Sequence, residues 1–202
     1  MSQDLIEAGL EGVEALVEYQ LPLTSKRADV VLCGTNPVTG ASQYLVVELK
    51  QWSRAHLAED ADDVCVLDGA GLRLHPVAQV ERYCTHLADF LAVLGDSEIG
   101  LMGVAYLHNA ADVDVDDLWS YPESRYGRMF TGQRRSAFMD FLRRNLAPDQ
   151  AAEAGDVLLG SAVRPSRQLL SVAAAEIQAR EQFVLLDEQQ VAYSMVLRAV
   201  ER

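Results

Sequence analysis

The sequence predicts an α/β domain of order α-β-β-β-α-β, with a mixed central sheet and a C-terminal helical extension. Three observations carry this. Three β-rich segments follow one another through short turns, ending at Lys50. A long run with helical spacing follows Pro76. A further apolar segment, Ile99–His108, comes next, and a strand–helix–strand succession implies a parallel pairing with a right-handed crossover.

The elements are justified in order. Asp4–Leu10 suits a short helix ending near Gly9 or Gly12. Ala15–Leu21 (ALVEYQL) is strand-like and stops at Pro22, and Ala28–Cys33 (ADVVLC) is a second strand closed by Gly34. Asn36, Pro37 and Gly40 supply a turn into Tyr44–Lys50 (YLVVELK), whose β-branched run ends abruptly in charge. A small hairpin fits between Trp52 and Leu74. After it, Val77, Val80, Cys84, Leu87, Phe90, Leu91 and Leu94 recur on one helical face, and Pro76 suits the first turn. We divide the chain into a core, residues 1–110, and a mainly helical remainder, residues 111–202. The latter includes an acidic stretch (ADVDVDDLW) and an amphipathic helix at Arg134–Leu146. Asp149–Asp156 reads as a linker or helix start, and Leu169–Glu181 and Glu188–Val200 as helices.

Bulk composition narrows the function classes. The chain has 202 residues, half of them hydrophobic, enough for one sizeable core. Its 17 Lys+Arg against 30 Asp+Glu leave a net charge of −13. A duplex-binding domain usually carries a basic footprint, so tight autonomous binding to nucleic acid is not expected, whereas cation-holding carboxylates are compatible with this balance. Cys33, Cys65 and Cys84 follow no CxxC spacing, which fits buried thiols in a reducing compartment. The acidic N-terminus is unlike a signal peptide, and no run of about 18 apolar residues exists. A cytoplasmic protein with no membrane contact is expected.

The chemistry concentrates at the ends of two strands. Asp29 lies one residue into the second strand, beside Arg27. Glu48 and Lys50 stand at i and i+2 in the third, so they share a face while Leu49 points the other way. A plain intrastrand ion pair explains Glu-x-Lys alone. With Asp29 on a neighbouring strand, two carboxylates, a backbone oxygen such as the Leu49 carbonyl, and water make a hard-oxygen site for Mg²⁺ or Mn²⁺. A nearby Lys ammonium can orient the attacking water and neutralise developing charge.

Arg27-x-Asp29 followed by Glu48-Leu49-Lys50 resembles the PD-(D/E)xK nuclease superfamily, with Ala28 in place of the literal proline. The resemblance implies a restriction-endonuclease-like αβββαβ core. Gln79-Val-Glu-Arg-Tyr83 is similar to the QxxxY motif of its RecB-like branch, and at i and i+4 the two side chains share one helix face. It implies that Gln79 and Tyr83 approach the metal site and the nucleic-acid backbone. The alternative is a solvent-facing Gln and a half-buried Tyr. Many members place a metal-binding Glu on the first helix. Glu7, Glu11, Glu14 and Glu18 all compete for that role here, and Glu18 can instead lie on the first strand.

LPLTSKRADVVL, VVELKQW, HPVAQVERYC, GVAYLHNA and FVLLDEQQVAY together resemble the N-terminal region of bacterial Schlafen-group-3-like DNA/RNA helicase proteins. There, a nuclease-like domain precedes a P-loop ATPase. Phe183–Gln190 is similar to the Gln-containing motif before the Walker A loop, and an ordinary acidic helix start explains it equally well. No GxxxxGK(S/T) occurs in the chain, so any ATPase is a partner domain in a longer protein, or this is a stand-alone relative.

Other candidates are weaker. His56, His75, His86 and His108 lack metal-ligand spacing. His75 precedes the helix and is a candidate supporting residue. Asp112, Asp114, Asp116 and Asp117 read as a solvated acidic loop, and Arg134, Arg135, Arg143 and Arg144 as a charged helix face. Three functions follow. The first is a metal-dependent nuclease acting on DNA. The second is an inactive nuclease-like module that binds nucleic acid or docks a helicase-type partner. The third is a structural or regulatory domain that pairs with a second copy through its helical tail.

Overall fold

In the computed structural model, residues 1–59, 61–67, 71–95, 99–166 and 169–171 are described. The helical segments expected at Leu169–Glu181 and Glu188–Val200, and the Phe183–Gln190 motif, lie almost wholly outside them.

The protein is α/β with a mixed five-stranded sheet. A short helix α1 (Ser2–Glu7) leads into β1 (Glu14–Gln20), β2 (Arg27–Thr35) and β3 (Ser42–Lys50), which pair antiparallel in sequence order. A second, three-stranded antiparallel sheet follows, made of β4 (His56–Ala58), β5 (Ala61–Leu67) and β6 (Gly71–Leu74). It is larger than the hairpin expected there. Helix α2 (Pro76–Phe90) then crosses over to β7 (Gly100–Leu107), which pairs parallel with β3 from Gln43↔Gly100 to Lys50↔Leu107.

Alternation along the strands sorts side chains onto the two faces of the main sheet. Val31, Cys33, Tyr44 and Val46 face a core built with Val77, Val80, Tyr83, Cys84 and Leu87 of α2. Val30, Leu32, Leu45 and Val47 face the opposite core with Leu5 of α1 and, from α3 (Arg135–Asn145), Phe138, Phe141 and Leu142. Helices on both faces explain why β3 is buried from Gln43 to Glu48.

Residues beyond 110 add a strand that the sequence pattern does not reveal. β8 (Met129–Thr131) extends the sheet to the order β1-β2-β3-β7-β8, pairing parallel with β7. With three residues it is too short to show a period of two. α4 (Ala151–Leu159) occupies the region left open as linker or helix start, and its Ala154 carbonyl accepts a 2.9 Å hydrogen bond from the buried Tyr44 hydroxyl.

α2 ends earlier than its apolar pattern suggests. Leu91 is extended (φ −95°, ψ 117°) and bridges Val163, and the Ala92 N–H donates to the Ala162 carbonyl at 3.0 Å. Leu94 therefore leaves the helix for a 3₁₀ turn at Ala92–Gly95. Tertiary pairing with the chain at 162–164 overrides a periodicity that would have carried the helix on. Among the described residues, no helix is long and apolar enough to cross a membrane.

Candidate active site

Three elements converge beside the C-terminal end of β3. β2 carries Asp29, β3 carries Glu48, Leu49 and Lys50, and α2 carries Gln79 and Tyr83. The β2–β3 ladder runs from Thr35↔Ser42 to Val30↔Val47 and stops there, one residue short of Asp29 and Glu48. Glu48 lies two residues beyond Val46 on the same face, and its side chain meets Gln79 of α2.

Asp29 does not continue the backbone ladder. Its Oδ2 accepts a 2.7 Å hydrogen bond from the Leu49 N–H, so the side chain takes the place of a strand carbonyl. A residue's N–H and C=O leave a strand toward the same edge. The Leu49 carbonyl therefore also points toward the Asp29 side.

Glu48 is buried, and a buried carboxylate needs compensation. Its Oε1 accepts from Lys50 Nζ at 2.7 Å and from Gln79 Nε2 at 2.8 Å. Gln79 Oε1 accepts from Lys50 Nζ at 2.8 Å, and Gln79 Nε2 lies 2.8 Å from the Tyr83 hydroxyl. The amide is thereby oriented: its oxygen holds the lysine, and its nitrogen serves the acid and the phenol. Lys50 Nζ also lies 5.4 Å from the centroid of the Trp52 ring. Hydrogen bonds join the side chains of Glu48, Lys50, Gln79 and Tyr83, and Asp29 is held to the same strand end through the Leu49 N–H. Gln79 is half-buried and Tyr83 buried, so neither is a solvent-facing bystander.

The competing glutamates separate by position. Glu7 is held by Arg135 Nη1 at 2.7 Å, and α1 packs on the face opposite α2. Arg135 lowers the Glu7 pKa. Glu11 is exposed ahead of β1. Glu14 pairs with Cys33 at the far end of β1 and lies against Gly155. Glu18 is exposed on β1 between the pairs Val17↔Val30 and Tyr19↔Ala28, which sets it level with Asp29. Its φ of +53° is left-handed, a strained setting for a non-glycine residue that costs on the order of 1 kcal/mol. Glu18 and Asp29 thus stand across from each other on adjacent strands. Arg27 is exposed at the start of β2, paired in register with Gln20.

His75 supports the site through the helix and does not join it. It is fully buried at the N-cap of α2, where Nδ1 accepts from the Val77 N–H at 3.2 Å. Nδ1 therefore carries no proton, and Nε2–H donates to the Leu118 carbonyl at 3.2 Å. The ring stacks on Tyr121 with centroids 4.4 Å apart. Burial pulls its pKa down to about 4 despite the Leu118 contact, so the neutral tautomer persists at ordinary pH.

One grouping escapes the sequence pattern. His56 of β4 meets Asp116 and Asp117 with ligand atoms within 4.8 Å of one another. His56 Nδ1 lies 3.8 Å from Asp117 Oδ2, which also accepts from the Leu57 N–H at 2.7 Å. No local spacing signals this, because sixty residues separate the partners. Arg134, Arg135 and Arg143 are committed to ion pairs with Asp112, Asp4, Glu7 and Asp140. They do not form a basic platform. No family model, curated protein or solved structure matches the chain.

Proposed function

We propose that the chain is a metal-dependent nuclease of the PD-(D/E)xK type, with a restriction-endonuclease-like core, hydrolysing phosphodiester bonds in DNA. The observation that carries this is the meeting of Glu48, Lys50 and Gln79 in one hydrogen-bonded network, with Tyr83 bonded to Gln79 and with Asp29 holding the intervening Leu49 N–H. A buried Lys–Glu pair adds little to stability by itself, because desolvation offsets its Coulomb attraction. Its placement beside a second carboxylate favours a chemical role.

The donor set fits Mg²⁺ or Mn²⁺ in chemistry: two carboxylates and a backbone carbonyl near the β3 terminus are hard oxygen ligands. Asp29, Glu48 and the Leu49 carbonyl would hold the ion, and the level position of Glu18 makes it the candidate fourth ligand. A bound ion supplies Lewis-acid polarisation of the phosphate and charge neutralisation. Lys50 directs its ammonium hydrogens at the attacking water and stabilises negative charge on the phosphoryl oxygens. Gln79 fixes Lys50 by its oxygen, and Tyr83 fixes Gln79. His75 anchors the first turn of the helix that carries both.

Supercoiled and linear DNA incubated with Mn²⁺ tests this reading. Wild type is expected to nick or degrade one of them, and Asp29→Ala and Lys50→Ala to leave both intact. No cleavage by wild type, or equal cleavage by the variants, rejects it. The net charge of −13 and the internal pairing of three arginines favour a second reading. In it the module does not turn over and docks a helicase-type partner that supplies the phosphate contacts.

A further inference from the structure

One carboxylate oxygen of Glu48 is already in use. Lys50 Nζ lies 2.7 Å from Glu48 Oε1, and Gln79 Nε2 lies 2.8 Å from the same atom. Glu48 is buried and Lys50 nearly so, so water and salt screen this pair poorly. An ion held at Oε1 must displace two donors. An ion held by Glu48 in any other way still lies beside a poorly screened ammonium.

We propose that Lys50 competes internally with the metal: its ammonium neutralises Glu48 in the ion-free chain, lowers the affinity for divalent ions, and is released toward Gln79 and Trp52 when an ion binds. The released position already has partners. Gln79 Oε1 accepts from Nζ at 2.8 Å, and the Trp52 ring centroid lies 5.4 Å away. Cations are attracted to such a ring face. The side chain therefore has two polar settings that share Gln79 and differ in whether Glu48 is clasped. An ammonium freed from Glu48 is also the one available to a water or phosphate, so ion binding and exposure of the catalytic cation become one event. This inference rests on the metal-site reading above.

The test is a Mn²⁺ titration of the full chain, followed by calorimetry and by the electron-paramagnetic signal of free Mn²⁺, with no nucleic acid present. Lys50→Met is expected to bind Mn²⁺ about tenfold more tightly than wild type, because a unit charge near the ion is removed. Lys50→Arg, which keeps the charge, is expected to stay close to wild type, and Asp29→Asn to bind more weakly. Lys50→Gln, which keeps a polar group for Glu48 without the charge, should tighten binding as Lys50→Met does. It substitutes for Lys50→Met if that variant fails to fold by circular dichroism.

Folded Lys50→Met or Lys50→Gln binding Mn²⁺ no better than wild type overturns the proposal. If that happens while wild type still cuts DNA and Asp29→Asn loses the ion, the nuclease reading stands alone. If no protein cuts DNA yet the neutral variants bind more tightly, the competition stands and the nuclease reading falls. If no variant binds Mn²⁺ at millimolar concentration, both fall.

Discussion

Asp29 accepts the backbone N–H of Leu49 through Oδ2 at 2.7 Å, a side chain completing a strand ladder where the backbone stops. Leu49 stands between Glu48 and Lys50, so this hydrogen bond sets Asp29 against the segment that carries both. Under the proposed function Asp29 has a structural and a chemical duty, and substitutions can separate them.

Asp29→Asn keeps an oxygen acceptor for Leu49 and removes the charge. We expect its stability in urea denaturation to stay within about 0.5 kcal/mol of wild type, with Mn²⁺ binding and cleavage lost. Asp29→Ala also leaves the Leu49 N–H without its acceptor and should lose about 1–3 kcal/mol of stability. If both variants are equally destabilised, the charge, and not the hydrogen bond, supports the ladder.

Gln79 is the hinge of the polar network, touching Glu48, Lys50 and Tyr83. Gln79→Leu removes all three contacts. Partners of this kind commonly contribute about 10–100-fold to metal affinity or activity. Cleavage should fall by a factor in that range, mainly in kcat. Tyr83→Phe removes a single hydroxyl and should cost less than Gln79→Leu. An unchanged kcat in Gln79→Leu would make the QxxxY pair structural only.

His75 makes stability depend on pH. Its pKa is depressed from the usual 6.5 to about 4 by burial, so the unfolded chain binds the proton more readily than the folded one. The stabilisation is complete above about 6.5, falls as pH drops, and is gone below about 4. The loss attributable to His75 is on the order of 3 kcal/mol. Protonation would place a hydrogen on Nδ1 and break the cap to Val77. His75→Asn retains an acceptor for that N–H and should flatten the difference in urea midpoint between pH 7 and pH 4.5. An identical pH slope in the variant would remove His75 as the cause.

The three thiols should be inert in the native state. Burial raises the pKa of Cys33 and of Cys65 to about 12, and that of Cys84 higher still. Thiolate is the reactive form. A thiol-exchange dye at pH 8 should show no fast reaction with folded protein and three equivalents in denaturant. A fast native equivalent would locate an opening of the α2 core, where all three lie.

Much of the architecture was legible in local pattern. The β-branched run at Val46–Val47 and the switch to Glu48-Leu49-Lys50 mark both β3 and its charged end, and alternation alone places Glu48 with Lys50. The helical recurrence from Val77 to Leu87 places Gln79 and Tyr83 on one face. Long-range contacts were not legible. β8 exists because Met129–Thr131 finds a free edge on β7. α2 stops at Phe90 because Leu91 is drawn to Val163. Glu18 could not be ranked above Glu7 or Glu14 from spacing, since its place depends on a left-handed φ and on strand register. The meeting of His56 with Asp116 and Asp117 likewise depends on how β4 docks beside the 3₁₀ turn at Asp117–Ser120.

That last cluster supplies the internal control for the most direct test. Crystals soaked in Mn²⁺ and measured at a wavelength where manganese scatters anomalously would locate the ion without any assay of turnover. The account predicts a peak between the Asp29 and Glu48 carboxylates, within coordination distance of the Leu49 carbonyl. No peak there at saturating Mn²⁺, or a peak only at His56, Asp116 and Asp117, would contradict it.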